Sequence, residues 1–404
     1  MRLIKVGEFV LGEEEKKAVN EVLDSGWVSE GPKTREFEEK WSQFVGTKYC
    51  IAVNSGTSAL MAGLTALKYF KELKGKKIIT TPITYIATTN AIVNTQFEPV
   101  FVDIDSKKFV INPKNIKEEL ENSKDPQEYS IILPVHLMGY PADMDKINKI
   151  AKEFDLITFE DSAQAHGTIY KGKKTGSLSL LSDFSFYIAH NIQVGEMGAI
   201  TTNDKEIARL VKKIKAHGRM CDCSICTRPK GFCPKLKGSR ENEKGEDFDP
   251  RFKHDLIGYN FKTTEFQAAL GLAQLKKADE IISKRQFNVK YLNEGLQRLD
   301  GIIQLPEYSD KVSYLAYPLV IKETKKISRK ELRKKLEEKG IETRPLFGCI
   351  PIQQEAYANL KHLYEGKLKN AEYVGTNGFY VGCHQYLSIE DLDYITKAFK
   401  EILK

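Results

Sequence analysis

Seven short apolar runs separated by segments of helical period constrain this chain more than any other feature. The runs fall at 50–53, 78–80, 100–104, 131–135, 156–160, 184–187 and 199–201, and between most of them apolar residues recur as Leu60, Leu64 and Leu67 do. Short β-rich runs alternating with helices belong to strands buried on both sides, because a crossover helix covers each face. The pattern predicts an α/β chain with a mainly parallel seven-stranded sheet and helices on both faces. Two helices precede it. One spans 12–24, with Ala18, Val19, Val22 and Leu23 on one face, and stops at Ser25-Gly26; the other spans 34–44 and stops before Gly46.

After residue 201 the alternation breaks. Residues 221–253 form a polar excursion with Gly and Pro, too long for a plain connector. A long helix is expected over 264–299, followed by a smaller C-terminal α/β unit in which 314–321 reads as a strand. There Ser328 and Glu331 have the spacing of a capping box, opening a helix that closes at Gly340. A chain of 404 residues exceeds one core, so a large domain over 1–275, including the 221–253 loop, and a small domain over 276–404 are expected.

The formal charge of +7 is spread by interleaved Lys and Glu, without the basic stripe that nucleic-acid binding requires. The first residues, MRLIKVGEFVLGEEEKK, lack the apolar core of a secretory leader, and no run reaches membrane-spanning length. A cytoplasmic protein with neither nucleic-acid nor membrane partners is expected. In a reducing compartment the crowding of Cys221, Cys223, Cys226 and Cys233 fits a metal site better than disulfides.

Several spaced motifs carry chemistry. Asn54-Ser55-Gly56-Thr57-Ser58 turns from a strand into a helix, where free N–H groups and the positive helix end suit a phosphate. Glu160-Asp161 puts carboxylates at a strand end, within FEDSAQAHG. The stretch SFYIAHNIQVGEMG carries His190 five residues after Ser185, and alternation along an extended chain requires a bend between them. With TPITYIATTNAI and LIGYNFKTT, these motifs resemble, over nearly the whole chain, the DegT/DnrJ/EryC1/StrS sugar aminotransferases, a branch of the fold-type I pyridoxal phosphate enzymes.

The resemblance implies roles residue by residue. Gly56, Thr57 and Ser185 would hold the cofactor phosphate, Tyr85 would stack on the pyridine, Asp161 would pair with its nitrogen and Gln164 would bond its phenolic oxygen. Asn260 would reach across to a neighbour's cofactor, making a homodimer with shared active sites. Arg344, in a TRPxF stretch, would meet the substrate's diphosphate. Met197 stands where the family has Gly. Position 190 is the family's cofactor-bearing lysine, and an imidazole has no primary amine, although it moves protons near neutral pH. That exchange marks the family's sugar 3-dehydratases, which use pyridoxamine phosphate in place of lysine-bound pyridoxal phosphate. The implied reaction is 3-deoxygenation of a nucleotide-linked 4-keto-6-deoxy sugar, with His190 as acid and base. An aminotransferase recruiting Lys173 or Lys174, and a catalytically silent metal-binding structural or regulatory homologue, are the alternatives.

Among the 3-dehydratases, the CDP-4-keto-6-deoxyglucose 3-dehydrase type carries an iron-sulfur cluster, and the GDP-4-keto-6-deoxymannose 3-dehydratase type carries none. Cys221 and Cys223 follow His217-Gly218-Arg219 as in the first type, whose further cysteine is Ala163 here. Cys226 and Cys233 would complete four thiolates, for an iron-sulfur cluster or for zinc. A cluster implies a reductase or ferredoxin as partner; its absence implies glutamate as amino donor.

Overall fold

A computed structural model describes residues 3–223, 233 and 249–404. The chain opens with α1 (Glu13–Ser25) and α2 (Pro32–Val45), each stopped by a left-handed glycine, Gly26 at φ 65° and Gly46 at φ 89°. Strands and helices then alternate: β1 (Tyr49–Val53), α3 (Gly56–Phe70), β2 (Lys77–Thr80), α4 (Ala87–Asn94), β3 (Glu98–Phe101), α5 (Pro113–Glu121), β4 (Tyr129–Leu133), α6 (Met144–Glu153) and β5 (Ile157–Asp161). A small hairpin of β6 (Ile169–Tyr170) and β7 (Lys173–Lys174) leads to β8 (Leu181–Ser185), β9 (Gly198–Thr202) and α7 (Lys205–Ile214).

The expected seven strands form one sheet in the order β1-β9-β8-β5-β4-β2-β3. From β3 to β8 the pairings are parallel, and β9 runs antiparallel to both β8 and β1. The sheet is buried on both faces, which is why its strands read as continuous apolar runs. Ile51 and Val53 of β1 join the core built with α3, while Cys50 and Ala52 join a second core with Phe37 and Trp41 of α2. Close packing depends on Gly63 of α3, where a Cβ would stand 2.6 Å from the Phe159 ring.

The remainder comprises α8 (Glu265–Lys276), α9 (Ala278–Leu296), β10 (Ile303–Gln304), β11 (Tyr317–Ile321), α10 (Arg329–Glu338), β12 (Arg344–Pro345), α11 (Lys361–Tyr364), α12 (Lys369–Asn377), β13 (Gly378–Val381) and α13 (Ile389–Ile402). Its strands make a second sheet in the order β10-β11-β13-β12, antiparallel throughout. The first residues are tied to this part: Ile4 bridges Ile341, and Gly382 packs on the Lys5 and Val6 carbonyls. No helix among the described residues is long and apolar enough to cross a membrane.

Local expectations are corrected in several places. The helix expected over 264–299 breaks at Lys277, whose φ of −97° and ψ of 4° leave helical geometry and whose ammonium pairs with Glu14 and Glu15. The strand expected from 314 begins at Tyr317, because Tyr314 sits at a φ of 42°. Only half of the Ser328 capping box forms: Ser328 Oγ accepts from Glu331 N–H at 3.2 Å, but the Glu331 carboxylate turns to Lys335 at 2.8 Å. The run 184–187 ends as a strand at Ser185, and 100–104 ends at Phe101.

Candidate active site

Four chain segments meet at one edge of the large sheet, where β1, β2, β5 and β8 end and β9 begins. In sheets of this kind, ligands sit outside the carboxyl ends of the strands. The turn after β1 makes the first wall. Ser55 caps α3, its Oγ accepting from Ser58 N–H at 3.1 Å, so the N–H groups of the first turn point outward at the positive helix end. Gly56 lies against Ser185, where a Cβ would come 2.4 Å from the Ser185 Cβ. Gly198 is as constrained, with a Cβ falling 2.2 Å from the Ser55 carbonyl oxygen. Thr57 is exposed beside them. The result is a tight cradle of N–H and hydroxyl donors.

The Glu160-Asp161 pair divides into structure and site. Glu160 is saturated by donors: His136 Nε2 at 2.9 Å, Gly176 N–H at 3.0 Å, Leu178 N–H at 2.8 Å and Ser179 Oγ at 2.9 Å. Asp161, also buried, receives only the Thr88 hydroxyl at 2.8 Å and the Ala163 N–H at 3.2 Å. Burial raises its pKa, against those two bonds and the field of His136. Beside it in register on β8, Asp183 has both carboxyl oxygens buried without a partner. Burial and then Asp161 push the Asp183 pKa well up. Two such carboxyls beside each other leave Asp161 in need of a cation.

Gln164 accepts from Met138 N–H through Oε1 at 3.0 Å, which leaves its amide hydrogens as the free end. Tyr85 stands at the start of α4, 61% exposed, in edge contact with Phe347 at 6.0 Å. Sequence reading missed Thr88, three positions after Tyr85, whose N–H bonds the Tyr85 carbonyl at 3.2 Å as α4 begins.

His190 lies in the bend required by its distance from Ser185. The strand stops, His190 N–H bonds the Tyr187 carbonyl at 2.9 Å, and the chain returns with Val194 N–H on the Phe186 carbonyl at 2.9 Å. Met197 leaves this turn intact, because its side chain is buried against Gly271 of α8. The His190 ring is only partly covered, yet Nδ1 is sealed without a partner. Burial pushes its pKa down to about 4, opposed by the Ser185 carbonyl and reinforced by Arg285. His166 lies 6.0 Å away, fully buried and held well below the ordinary histidine range by burial and then by His190.

A cavity of about 120 Å³ adjoins this bend, lined by Glu8 and Phe9 from the chain start, Ile188 and Ala189, and Arg344 and Tyr380. Arg344 is exposed there, bonded through Nε and Nη2 to Glu342 at 3.2 and 3.1 Å. Asn260 is exposed near the cradle: its neighbour Phe261 accepts from Asn54 N–H at 2.9 Å, and its own Oδ1 takes the Lys262 ammonium. Lys173 is exposed and Lys174 lies over the Phe44 ring at 3.7 Å, on the hairpin. Neither is directed into the cradle by any contact.

Three described cysteines gather elsewhere. Cys223 has its thiol pushed up to about 11 by burial, by Cys221 beside it, by Asp222 and by Cys233. Cys226 lies outside the described residues. Among the described residues no group of three metal-ligand side chains forms a metal-holding arrangement.

The cradle of glycine-backed donors, the unneutralised Asp161 and the donating end of Gln164 fit a phosphorylated pyridine: phosphate, ring nitrogen and ring oxygen each meet a suitable group. The sheet order is that of the fold-type I pyridoxal phosphate enzymes. Within that class, the chain belongs to the DegT/DnrJ/EryC1/StrS aminotransferase family, whose profile matches residues 10–400. It is 32% identical over 400 residues to the lipopolysaccharide biosynthesis protein RfbH of Salmonella typhimurium, covering 97% of this chain and 90% of that one. It is 30% identical to the GDP-4-keto-6-deoxy-D-mannose 3-dehydratase of Escherichia coli O55:H7, covering 96% of each. Among solved structures, Helicobacter pylori PseC, an aminotransferase involved in the biosynthesis of pseudoaminic acid, superimposes with a TM-score of 0.86 at 28% identity, covering 100% of this chain and 99% of that one.

Proposed function

We propose that this protein is a pyridoxamine phosphate-dependent 3-dehydratase acting on a nucleotide-linked 4-keto-6-deoxy sugar. The observation that carries the reading is His190: the residue in the bend beside the cradle is an imidazole, which burial keeps from charging, and not an amine. The cofactor, when bound, supplies the amine that meets the sugar's keto group and a ring that spreads negative charge. Gly56, Thr57 and Ser185 bind its phosphate, Tyr85 covers the ring face, and Asp161 and Gln164 hold the nitrogen and the ring oxygen. With Nδ1 sealed, Nε2 of His190 is the atom that would hold and pass a proton: it would take one released beside the cofactor's amine and give it to the departing 3-oxygen, which would leave as water. Arg344 at the cavity mouth receives the substrate diphosphate, an assignment supported by its exposed fork. Asn260, exposed at the same edge, completes the phosphate site of a second subunit in a homodimer.

The aminotransferase alternative needs a lysine at the cofactor, and the contacts of Lys173 and Lys174 argue against either. Replacement His190→Asn tests the reading. With added pyridoxamine phosphate and a GDP- or CDP-linked 4-keto-6-deoxy sugar, 3-deoxy product followed by NMR should fall by at least about 100-fold. Borohydride treatment of the pyridoxal phosphate-loaded wild type should add no cofactor mass to the polypeptide. A covalent adduct, or undiminished deoxygenation by the variant, sinks the proposal.

Cys221, Cys223 and Cys233, with Cys226, are proposed as a four-thiolate iron-sulfur site, zinc being the competitor. The support for this reading is the Cys221 and Cys223 pair following His217-Gly218-Arg219; the described cysteines by themselves form no metal-holding group. Iron, sulfide and zinc analysis after anaerobic purification distinguishes the two, and adding ferredoxin with its reductase, or glutamate, shows which restores turnover.

A further inference from the structure

A buried guanidinium stands next to the His190 segment with no acid to neutralise it. Arg285 lies on the inward stripe of α9 with Ile281, Asn288 and Leu292, and is 1% exposed. Its Nη1 donates to the carbonyls of Tyr314 at 3.3 Å and Leu315 at 2.7 Å, and its Nε to Gln385 Oε1 at 3.2 Å. Its remaining close neighbour is the Cys383 thiol, pushed up to about 11 by burial and therefore uncharged near neutral pH. Among the described residues no carboxylate pairs with it. Burial lowers its own pKa, but a guanidinium keeps its proton, so an uncompensated positive charge is fixed in a low-dielectric interior.

The Tyr314 carbonyl joins this charge to the active site. It accepts from Arg285 and also from Asn191 Nδ2 at 3.2 Å, and Asn191 holds the Ser313 carbonyl at 2.8 Å as well. Asn191 directly follows His190. Tyr314 holds a left-handed φ of 42°, a conformation that a bulky residue keeps only when its surroundings impose it. Onward, Leu315 N–H bonds the Met138 carbonyl at 3.1 Å, and Met138 N–H bonds Gln164. The strap at 313–315 thus touches both the His190 bend and the residue assigned to the ring oxygen.

We infer that Arg285 is a positioning residue for the proton carrier: by clamping the strap it fixes the His190 bend, and its uncompensated charge adds to the effect of burial around that ring. An imidazolium formed there during turnover is then a stronger acid, primed to release its proton to the departing oxygen. The inference rests on the reading of His190 as the proton carrier. The groups that face His190 are His166 at 6.0 Å, Tyr187 at 6.1 Å, the Ser185 carbonyl and Arg285. His166 is itself kept neutral, so Arg285 is the charged one. Around Arg285 stand Cys383, His384, Gln385 and Tyr386, none of them a carboxylate.

Gln385→Glu tests the charge without touching the clamp, because it sets a carboxylate against Arg285 Nε while Arg285, Asn191 and the strap remain. Histidine ring signals of the cofactor-free, full-length protein are followed by NMR against pH, with the His190 signal assigned by its loss in His190→Asn. The wild-type ring should stay neutral down to about pH 4. In Q385E it should titrate about half a pH unit higher or more, roughly a threefold gain in proton affinity, with burial still the larger cause of the low value. Arg285→Lys, which keeps the charge and loses the fork, should retain the low titration. A wild-type titration in Q385E, or a rise in R285K matching it, overturns the inference. Both outcomes are read without substrate, so they stand apart from any failure of the dehydratase reading.

Discussion

Asp161 concentrates the chemistry of the site in one side chain. Its two bonds, from a hydroxyl and a backbone N–H, leave its charge uncompensated until a ring nitrogen arrives. Asp161→Asn keeps the volume but removes the charge, and should weaken pyridoxal phosphate binding by about 10–100-fold in a spectroscopic titration, as loss of a charged hydrogen bond implies. Gly56→Ala acts by bulk: its Cβ would meet Ser185 at 2.4 Å, so the cradle must open and cofactor affinity should drop about tenfold or more. Asp161, Ser185 and His190 were legible in the sequence because each sits inside a contiguous motif. Thr88 and Arg285 were not, since their roles come from partners that only folding supplies. Arg285 left one trace: a charged residue at a position of α9 whose helical neighbours Ile281, Val289 and Leu292 are buried.

At the scale of elements, the seven runs located the large sheet because both of its faces are covered, so apolar residues dominate them despite Asp103, Thr158 and Ser185. Periodicity failed where a backbone angle overrode it. The backbone leaves helical geometry at Lys277, where the ammonium meets Glu14 and Glu15 of α1, and the left-handed Tyr314 delays β11. The two-residue strands β6, β7, β10 and β12 are shorter than any period can reveal. Helix α3 carries the cradle and must lie close to the sheet. Gly63→Val would drive a side chain into Phe159 and Ile200, costing about 1–3 kcal/mol of stability in denaturant unfolding. The helix end should shift with it, so cofactor affinity should fall as well.

On the scale of the molecule, buried histidines set a pH limit. His166, His190 and His384 have folded pKa values below the ordinary 6.5, the last two at about 4, and burial is the main cause for each. The unfolded chain therefore binds protons that the folded chain refuses, and stability is full above about pH 6.5 and falls as pH drops toward 4. Each histidine should cost about 1.4 kcal/mol per pH unit in that window, read from urea midpoints at a series of pH values. Subunit sharing is testable by mixing: His190→Asn and Asn260→Ala proteins, each inactive, should regain deoxygenation when co-expressed, because one of the mixed sites is then intact. The chain's start has a practical consequence. Since Ile4 is bridged to Ile341 and Glu8 and Phe9 wall the cavity beside the His190 bend, weakening that bridge should loosen one wall of the cavity while leaving residue 190 untouched.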